Sequence, residues 1–356
     1  MGINEKYMQR CIELARFGAG YVSPNPMVGC VIVSNRKIIG EGFHQNYGDA
    51  HAEVNAINSV KDQELLREST LYVSLEPCSH YGKTPPCSDL IVSKKIPRVV
   101  IGSADPNKEV AGRGIKRLMD SGIDVTVGTL EAECRELNKR FFTFHKKNRP
   151  YIILKWAQTL DGFIDINRDK SQYGKPTWIT GELSRRLVHK MRAEEDAIMI
   201  GTTTAERDNP SLTVYRWSGR NPVRVVIDNS LRLPENIKLF DNTSPTLIFN
   251  SVKTGTIDKT DFVRIDFSHN VVPRIVNELY KRGIQSVIIE GGKQLLQSFI
   301  NVDLWDEAHL FVADKIFYNG VPAPRILGEV VSETMLDSDL FKVIRNPQQA
   351  DGSSEI

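Results

Sequence analysis

The chain has 356 residues, of which 40% are hydrophobic and 25% are charged, and its formal net charge is +2. At roughly 100–200 residues per domain, this length and composition predict two globular domains. Each is large enough to bury a full core without stabilising disulfides or metal ions. The near-neutral charge, with no long basic run, argues against a general nucleic-acid binder.

Five cysteines stand at irregular spacing, and they are Cys11, Cys30, Cys78, Cys87 and Cys134. An odd number without a regular pattern argues against a disulfide framework. The N-terminal MGINEKYMQR lacks the apolar core of a signal peptide, and no stretch approaches the ~20 apolar residues that span a bilayer. We therefore expect a reducing, cytoplasmic location, no membrane partner, and cysteines that serve metal binding or catalysis.

In the first part of the chain, predicted strands alternate with predicted helices. Residues 4–17 place apolar side chains at helical spacing, and GCVIVSNRKIIGEGF predicts two strands around a polar turn at Ser34–Lys37. The strands TLYVSLEPC, RVVIGSADP and IDVTVGT then alternate with the helices HAEVNAINSV, SDLIVSKKI and GIKRLMDSG, and EAECRELNKRFFTFHKKN forms a last helix. This alternation predicts an α/β layered domain with a largely parallel sheet.

The pattern restarts at Arg149-Pro150, which predicts a first domain at 1–148 and a second at 149–345. YIILKWAQ, NPVRVVID, PTLIFN, SVIIEGG and AHLFVAD are typical of strands, while GELSRRLVHKMRAEEDAIMI and VVPRIVNELYKRG contain amphipathic helices. The second domain is therefore also predicted to be α/β. Residues after about 330 become polar, and 346–356 are predicted to form a frayed polar tail.

HAEVNAI at 51–57 and EPCSHYGKTPPCSDL at 76–90 contain the residue types that bind a metal. His51 begins a predicted helix, Cys78 follows a predicted strand, and Cys87 lies nine residues further on. Zinc prefers imidazole and thiolate ligands, and three protein ligands leave a fourth position for water, as in catalytic sites. Bound zinc lowers the pKa of that water, and Glu53 would carry its proton to the substrate nitrogen.

The generic form of this motif is incomplete. His-x-Glu followed by Pro-Cys and a second Cys is the signature of zinc nucleobase deaminases, in which two residues usually separate the cysteines. Here eight residues separate Cys78 from Cys87. A lone His-x-Glu is common on solvated surfaces, and many cysteines are simply small buried apolar residues. Their combination at a helix start and a strand end favours the metal site.

Four other residues of the first half each have two interpretations. Asn25 lies between two prolines and can meet a base edge or simply form a turn, and the residues alone favour the turn. His44 and His80 can contact a substrate or be structural histidines. Lys83 can meet a phosphate as a point charge or be a solvated lysine. The Gly-Lys-Thr triplet around it is not a P-loop, because Pro77 stands where that motif requires glycine.

The second half contains no G-x-G-x-x-G, so a Rossmann dinucleotide domain is unsupported. Gly291-Gly292 follows an apolar strand and precedes a helix that opens at Lys293. This arrangement suits an anion at a helix N-terminus and, equally, a tight turn that requires glycine. Lys155 lies in an apolar strand, where it can snorkel, and Asp208 in RDNP can begin a turn. The residues alone leave a functional role open for both.

Taken together, PNPMVGCVIV, EGFH, HAEVNAI, EPCSHYGKTPPCSDLI and DPNKEVAGRGI resemble the deaminase domain of the bifunctional riboflavin-biosynthesis deaminase/reductase family. The long PCSHYGKTPPC insert distinguishes that branch from cytidine and tRNA-adenosine deaminases. The resemblance implies a cytidine-deaminase-like three-layer fold and a zinc ion held by His51, Cys78 and Cys87, with Glu53 as proton shuttle. The residues that it places near a phosphoribosylated pyrimidine are Asn25, His44, His80 and Lys83.

ILKWAQTLDGFI, PTWITG, MIGTTTAERDNPSLTV and IIEGGKQLL are similar to the reductase domain of the same family, which implies a dihydrofolate-reductase-like α/β fold and NADPH. The cofactor contacts that the resemblance implies are Ala157, Trp178, Thr204, Asp208, Asn229, Gly292, Lys293, Gln294, Leu295, Leu296, Gln297 and Ser298. The substrate contacts that it implies are Pro176, Arg192, Leu212, Tyr215 and Glu290. Without the resemblance, Trp178 and Leu212 would be assigned to core packing and Arg192 to a solvated helix face.

Two positions depart from the family pattern. Pro176 stands where the family usually has a serine that contacts the substrate, and Tyr215 stands where an arginine usually binds the substrate phosphate. Arg216 follows directly, but on a strand its side chain would face the other side.

The resemblance implies a two-step enzyme of riboflavin biosynthesis. It deaminates 2,5-diamino-6-(5-phosphoribosylamino)pyrimidin-4(3H)-one with zinc and then reduces the ribosyl group to ribityl with NADPH. We expect a small-molecule substrate, no nucleic-acid partner and a homo-oligomer, either dimer or tetramer. One alternative is a nucleobase or tRNA deaminase with a C-terminal recognition domain, which predicts a basic, aromatic-rich second half. Another is a binding protein with structural zinc, which needs a fourth protein ligand.

Overall fold

The chain divides into two compact units, Met1–Asn148 and Arg149–Ile356, in a computed structural model that describes residues 2–79, 85–107, 111–174 and 176–349. The division lies at the Arg149-Pro150 step where the sequence pattern restarts. Across the described residues, no helix has the length and apolar character needed to cross a membrane.

The described part of the first unit is a three-layer α/β/α arrangement. Its helices are α1 (Ile3–Ala15), α2 (Ala52–Ser59), α3 (Cys87–Ser93), α4 (Arg113–Asp120), α5 (Glu131–Leu137) and α6 (Lys139–Lys147). Its strands are β1 (Gly29–Ser34), β2 (Lys37–Phe43), β3 (Thr70–Leu75), β4 (Arg98–Ser103) and β5 (Asp124–Val127). The sheet order is β2-β1-β3-β4-β5. Buried side chains of α2, α3 and α4 pack on one face of the sheet, and those of α1 and α5 pack on the other.

This first sheet is mixed, whereas the alternation of elements predicted a largely parallel one. β1 is antiparallel to β2 and to β3, while β3, β4 and β5 are parallel. The turn between β1 and β2 places Asn35 and Arg36 at φ values of 50° and 60°. A two-residue turn with positive φ at both positions joins antiparallel neighbours directly, so this pair needs no crossover helix.

The last predicted helix of the first unit is two helices, α5 and α6, which meet at Asn138. The Asn138 side chain is buried, where it accepts the N–H of Met27 and donates to the Met27 carbonyl, both at 2.8 Å. These contacts span 111 positions of the chain, so the local sequence pattern does not contain them. We infer that this tertiary contact interrupts the helix.

The second unit is also a layered α/β structure. Its described helices are α7 (Glu182–Glu194), α8 (Thr202–Asp208), α9 (Val271–Lys281) and α10 (Lys293–Asn301). Its described strands are β6 (Tyr151–Thr159), β7 (Phe163–Asp165), β8 (Ala197–Gly201), β9 (Val223–Ile227), β10 (Thr246–Asn250), β11 (Gly255–Ile257), β12 (Thr260–Arg264), β13 (Ser286–Gly291), β14 (Glu307–Ala313), β15 (Val321–Pro322), β16 (Glu329–Leu336) and β17 (Asp339–Arg345).

Ten of these strands form one sheet in the order β11-β12-β10-β9-β8-β13-β6-β14-β17-β16. The run from β12 to β14 is parallel, and antiparallel strands flank it at both edges. α9 and α10 contribute buried side chains to one core cluster, and α7 and α8 contribute to two others. The carboxyl ends of the parallel strands therefore meet helix starts at one edge, where α/β proteins form sites.

The polar segment after about residue 330 forms the hairpin of β16 and β17, which the sequence analysis did not predict. Side chains of β16 are nearly all exposed, so it lacks the alternation of apolar and polar residues that marks a half-buried strand. Asn346, the first residue of the predicted tail, is buried and donates to Asp303 Oδ1 at 2.8 Å and to the Trp305 carbonyl at 2.9 Å. Residues 350–356 of that tail lie outside the described residues.

A buried ion pair joins the first residue of the second unit to the start of β14. Arg149 donates from both terminal nitrogens to the two carboxylate oxygens of Asp306, at 2.6 and 2.7 Å. Asp306 also accepts the N–H of Ile152 at 2.8 Å. This two-pronged geometry is the strong form of an arginine–carboxylate pair, and it holds the start of β6 beside β14.

Candidate active sites

Three predicted metal ligands converge in the first unit. His51 is the residue before α2, Cys78 follows β3, and Cys87 is the first residue of α3. His51 Nδ1 lies 3.5 Å from Cys78 Sγ and 3.3 Å from Cys87 Sγ. Two helix starts and one strand end, separated by up to 36 residues of chain, thus bring one nitrogen and two sulfur atoms together.

These separations fit a tetrahedral zinc ion. With bond lengths of about 2.0–2.3 Å to nitrogen and sulfur, such an ion holds its ligand atoms roughly 3.5 Å apart. No fourth histidine, cysteine or acidic residue joins this cluster within the described ranges. The donor set is that of zinc sites that retain an open position for water.

Electrostatics around the cluster favour a thiolate at Cys78. Hydrogen bonds from the Cys87 thiol and from His51 lower the pKa of Cys78 to about 4, and the Cys87 N–H donates to Cys78 Sγ at 3.3 Å. Glu53 lies in the first turn of α2 and is only 3% exposed. Burial raises the pKa of Glu53 to about 7, so this carboxyl group can carry a proton near neutral pH.

Asn25 and His44 form a linked pair beside the cluster. His44 Nδ1 lies 3.1 Å from the Ala50 carbonyl, which only accepts, so the ring proton resides on Nδ1. His44 Nε2 therefore accepts from the Asn25 amide at 3.1 Å, and the His44 ring meets the His51 ring edge-on at 5.4 Å. Burial lowers the pKa of His44, which keeps the ring neutral. The Asn25 amide is thus fixed with Oδ1 left over for another partner.

The other two predicted substrate contacts of this half, His80 and Lys83, lie outside the described residues. A residue that the sequence analysis did not single out, Glu76, stands two positions before Cys78. Its buried carboxylate accepts backbone N–H groups from Gly112 at 3.0 Å and Gly114 at 2.9 Å, at the start of α4. No sequence signal points to this role, because the partners lie 36 and 38 residues away.

The second unit contains a cavity of about 1280 Å³ at the carboxyl ends of its parallel strands. Most of the predicted contacts line it, and they are Ala157, Pro176, Trp178, Arg192, Thr204, Asp208, Tyr215, Asn229, Glu290, Gly292, Lys293, Gln294, Leu295, Leu296, Gln297 and Ser298. Leu212 does not line the cavity. Its side chain is buried in the core cluster that also contains Ile198 and Val226.

A network of buried charges crosses one wall of this cavity. Arg192 donates to the two carboxylate oxygens of Glu290, at 3.2 and 2.7 Å, and Lys155 Nζ lies 3.9 Å from the same carboxylate. Burial alone would raise the pKa of Glu290, but the charges of Arg192 and Lys155 outweigh it and hold that pKa at about 2. Burial lowers the pKa of Lys155. Lys155, which the sequence left undecided, therefore belongs to the cavity wall.

Asp208 lies on a second wall, at the end of α8. Arg168 donates to Asp208 Oδ1 at 2.5 Å and to Asp165 Oδ2 at 2.6 Å, so one buried guanidinium links the two carboxylates. Burial raises the pKa of Asp208, and the Arg168 charge opposes that rise. Asp208 is therefore held by a salt bridge rather than by the turn that RDNP suggested.

Tyr215 and Arg216 lie in a segment that is not a strand, so the alternation argument against Arg216 was wrong in its premise. Arg216 is nevertheless absent from the cavity lining, because it donates to Glu182 Oε1 at 2.5 Å. Tyr215 lines the cavity, and its ring packs 4.1 Å from the ring of His189. His189 and Arg185, which the sequence analysis did not single out, line the same wall.

Comparison with known proteins matches two family models to the chain. The cytidine and deoxycytidylate deaminase zinc-binding region matches residues 1–103, and the RibD C-terminal domain matches residues 150–346. Each match lies within the unit that contains the corresponding candidate site.

Relatives and solved structures are similar over nearly the full length. The chain is 40% identical to the riboflavin biosynthesis protein RibD of Bacillus amyloliquefaciens, over 94% of this chain and 91% of the relative. It is 38% identical to RibD of Aquifex aeolicus, over 90% and 89%. The fold is similar to the diaminohydroxyphosphoribosylaminopyrimidine deaminase/5-amino-6-(5-phosphoribosylamino)uracil reductase of Thermotoga maritima, with a TM-score of 0.87, 38% identity and coverage of 96% and 98%. The fold is also similar to Acinetobacter baumannii RibD, with a TM-score of 0.87 and 31% identity, over 96% of this chain and 98% of that structure.

Proposed function

The chain belongs to the RibD family of riboflavin biosynthesis proteins, and from this premise we propose how its two sites divide the chemistry. It is a bifunctional enzyme, in which a zinc-dependent pyrimidine deaminase is joined to an NADPH-dependent reductase. The family resemblance and the cytidine-deaminase-like and dihydrofolate-reductase-like folds predicted from the sequence are confirmed. The observation that carries the proposal is the cluster of His51, Cys78 and Cys87 in a chain whose other unit holds a charged cavity.

In the first unit, we assign the metal to His51, Cys78 and Cys87. When bound, zinc supplies the Lewis acidity that makes water a nucleophile near neutral pH. The short separations between the His51 nitrogen and the two sulfur atoms support this ligand set, because imidazole and cysteine sulfur are the donors that zinc prefers. The substrate is 2,5-diamino-6-(5-phosphoribosylamino)pyrimidin-4(3H)-one, and the amino group that it loses leaves as ammonia.

Glu53 is the proton carrier of this proposal. Its carboxyl group is buried in the first turn of α2, two residues after His51, where it can pass a proton from the attacking water to the departing nitrogen. Asn25 Oδ1 would meet the pyrimidine edge, since His44 already occupies the amide nitrogen of Asn25. His44 would then act on the substrate mainly by fixing Asn25.

In the second unit, we assign NADPH to the wall formed by the start of α10, Thr204 and Asn229. When bound, NADPH supplies the hydride that converts the ribosyl C1′ to the end of a ribityl chain. Gly292 supports this assignment, because a Cβ there would lie 3.3 Å from Thr204 Oγ1 and would crowd the approach of a ligand. The helix N-terminus at Lys293 adds N–H groups that suit a phosphate.

We assign the sugar of the second substrate to the wall with Lys155, Arg192 and Glu290. Opening the ribosyl ring requires a proton at the ring oxygen, and a buried ammonium with a lowered pKa is a good donor. Glu290 remains ionised beside it and can accept hydrogen bonds from sugar hydroxyls. Leu212 can contribute only through its backbone, because its side chain lies in the core.

The remaining expectations concern the state of the protein in the cell. All five cysteines are free, which supports a reducing, cytoplasmic location. We also propose a homo-oligomer, either dimer or tetramer, which light scattering of the purified chain would test. A monomer at micromolar concentration would remove this expectation.

The test of the proposed function follows ammonia and NADPH separately in one reaction. The diaminopyrimidine phosphate is supplied with the zinc-loaded chain and NADPH. We expect ammonia release, followed by NADPH oxidation. Glu53→Gln should lower the rate of ammonia release by about 10²–10⁴-fold, the range for loss of a general acid–base group.

Two controls make this test specific. Glu53→Gln should still oxidise NADPH at the wild-type rate when the deaminated intermediate is supplied directly. Glu68→Gln alters a surface carboxylate of the same unit and should leave both rates unchanged. Ammonia release that survives in Glu53→Gln would remove the assigned role of Glu53.

A further inference from the structure

One face of α7 presents three hydrogen-bond donors to the reductase cavity. Arg185, His189 and Arg192 are separated by four and three residues, which places them on the same side of a helix. All three line the cavity. The second substrate of the proposed reaction carries a phosphate on its ribosyl group. A phosphate is bound by cations and by directed N–H donors, and this face of α7 offers both.

Arg185 is the cation of this face that keeps unused hydrogen-bond donors. Its guanidinium lies over the Trp178 ring at 5.0 Å from the centroid, and Trp178 is itself a half-exposed residue of the cavity lining. Its Nε donates to the Gly181 carbonyl at 3.3 Å and its Nη2 lies 3.2 Å from Glu182 Oε2. In the part of the chain that the structure describes, no protein group accepts a hydrogen bond from Nη1. Stacking on an aromatic ring orients a guanidinium and leaves the N–H groups along its edge available to a ligand.

His189 adds a neutral donor between the two arginines. The Tyr215 N–H donates to His189 Nδ1 at 3.4 Å, so the ring proton of neutral His189 resides on Nε2. Burial and the neighbouring Arg192 lower the pKa of His189 to about 4, which keeps the ring neutral at physiological pH. An Nε2–H group is the donor that this ring can offer a ligand.

Three other arginines near the cavity are already paired with carboxylates. Arg192 is offset by the two-pronged contact with Glu290, and Arg168 is offset by Asp165 and Asp208. Arg216 binds Glu182 and does not line the cavity. Tyr215, the residue before Arg216, offers a phenol rather than a guanidinium. Arg185 is also paired with Glu182, but through Nη2 alone, so among the described residues its Nη1 edge stays available to a phosphate dianion on this face of α7.

We propose that Arg185 and His189, together with Arg192, form the subsite for the phosphate of the reductase substrate. This inference rests on the proposed reductase function. Arg185 supplies the positive charge, and His189 supplies a neutral N–H donor between the arginines. Both act as specificity-determining residues, because they bind a part of the substrate that does not react.

The test compares the phosphoribosylaminouracil substrate with its dephosphorylated nucleoside analogue. Arg185→Gln should lower kcat/KM for the phosphorylated substrate by about 10- to 100-fold, the range for loss of a charge-assisted hydrogen bond. The same variant should change kcat/KM for the nucleoside by less than about 3-fold. His189→Phe should show the same selectivity with a smaller loss, about 5-fold, and His189→Gln should restore part of it because its amide can donate.

Two controls separate a binding role from a structural one. Arg186→Gln changes the exposed neighbour on α7 and should leave both substrates unaffected. Arg185→Lys should retain part of the preference for the phosphorylated substrate, because it keeps the charge but loses the planar guanidinium. Equal losses on both substrates, or no loss on either, would overturn the proposal. A wild-type chain that reduced neither substrate would instead refute the proposed reductase function.

Discussion

Replacing Glu76 by glutamine tests whether one buried carboxylate organises the start of α4 beside the ligand-bearing turn. Glu76 Oε2 accepts N–H groups from Asp105 at 3.1 Å and Gly112 at 3.0 Å, and Oε1 accepts from Gly114 at 2.9 Å and Ile115 at 3.2 Å. Gly112 is the residue before α4 and has no side chain to cap it, so Glu76, the residue after β3, caps this helix instead.

Glutamine has nearly the same shape but only one acceptor oxygen. Its NH₂ group would face two N–H donors, and each buried donor without an acceptor costs about 1–3 kcal/mol. We therefore expect Glu76→Gln to lower the free energy of unfolding of the first unit by about 2–6 kcal/mol. That is a large fraction of the 5–15 kcal/mol that typically holds a domain together.

Denaturation of the zinc-loaded chain followed by two signals measures this effect. All four tryptophans lie after residue 150, so tryptophan fluorescence reports the second unit, while far-UV circular dichroism reports both. Glu76→Gln should lower the denaturant midpoint of the first unit only, and it should speed amide exchange at Gly112 and Gly114. Glu68→Gln, on the surface, should change neither signal. A shift below about 0.5 kcal/mol in Glu76→Gln would refute the reasoning.

Three further predictions concern single side chains. Gly114→Ala would place a Cβ 2.0 Å from the Pro77 carbonyl oxygen, so we expect circular dichroism to show a first unit destabilised by at least ~1–3 kcal/mol. Asp306→Asn breaks the buried pair with Arg149 and should cost the second unit about 3–5 kcal/mol in fluorescence-detected unfolding; an unchanged midpoint would contradict this. The pKa of Glu290 is lowered from 4.5 to about 2, which corresponds to roughly 3 kcal/mol of added stability of the folded second unit. This contribution is complete above pH 4.5 and is lost as the pH falls from 4.5 through 2. Unfolding measured at pH 5 and pH 3 should show this dependence in the wild type and not in Glu290→Gln.

Most helices and strands of both units were predictable, because the spacing of apolar residues over short stretches of sequence indicates them. The polar turn between β1 and β2 was predicted from the run GCVIVSNRKIIGEGF, and the structure confirms it. Strand direction was harder to predict. Whether β1 runs parallel or antiparallel to β3 depends on which strands pair across the sheet. The break at Asn138 depends on Met27, far away in sequence, and β16 lies on an exposed edge with no apolar alternation.

The candidate sites divide in the same way. Motif order and spacing predicted the ligand set, and all the contacts implied for the second unit except Leu212 line the cavity. The individual roles of these residues stay predictions. The sequence left Lys155 undecided, because an apolar strand contains both snorkelling and buried lysines. Its burial beside Glu290 depends on the parallel pairing of β6 and β13.

The sequence by itself determined the residue types, the family and most of the element order, because the motifs and the helical and strand spacing that indicate them lie between neighbours along the chain. Only the tertiary structure decided which charges meet. Glu76 reaches α4, Arg149 pairs with Asp306, and Arg185 lies over Trp178 within the cavity wall. Electrostatic and hydrogen-bond partners are set by distances of a few ångströms between chain segments, and no local pattern encodes such distances.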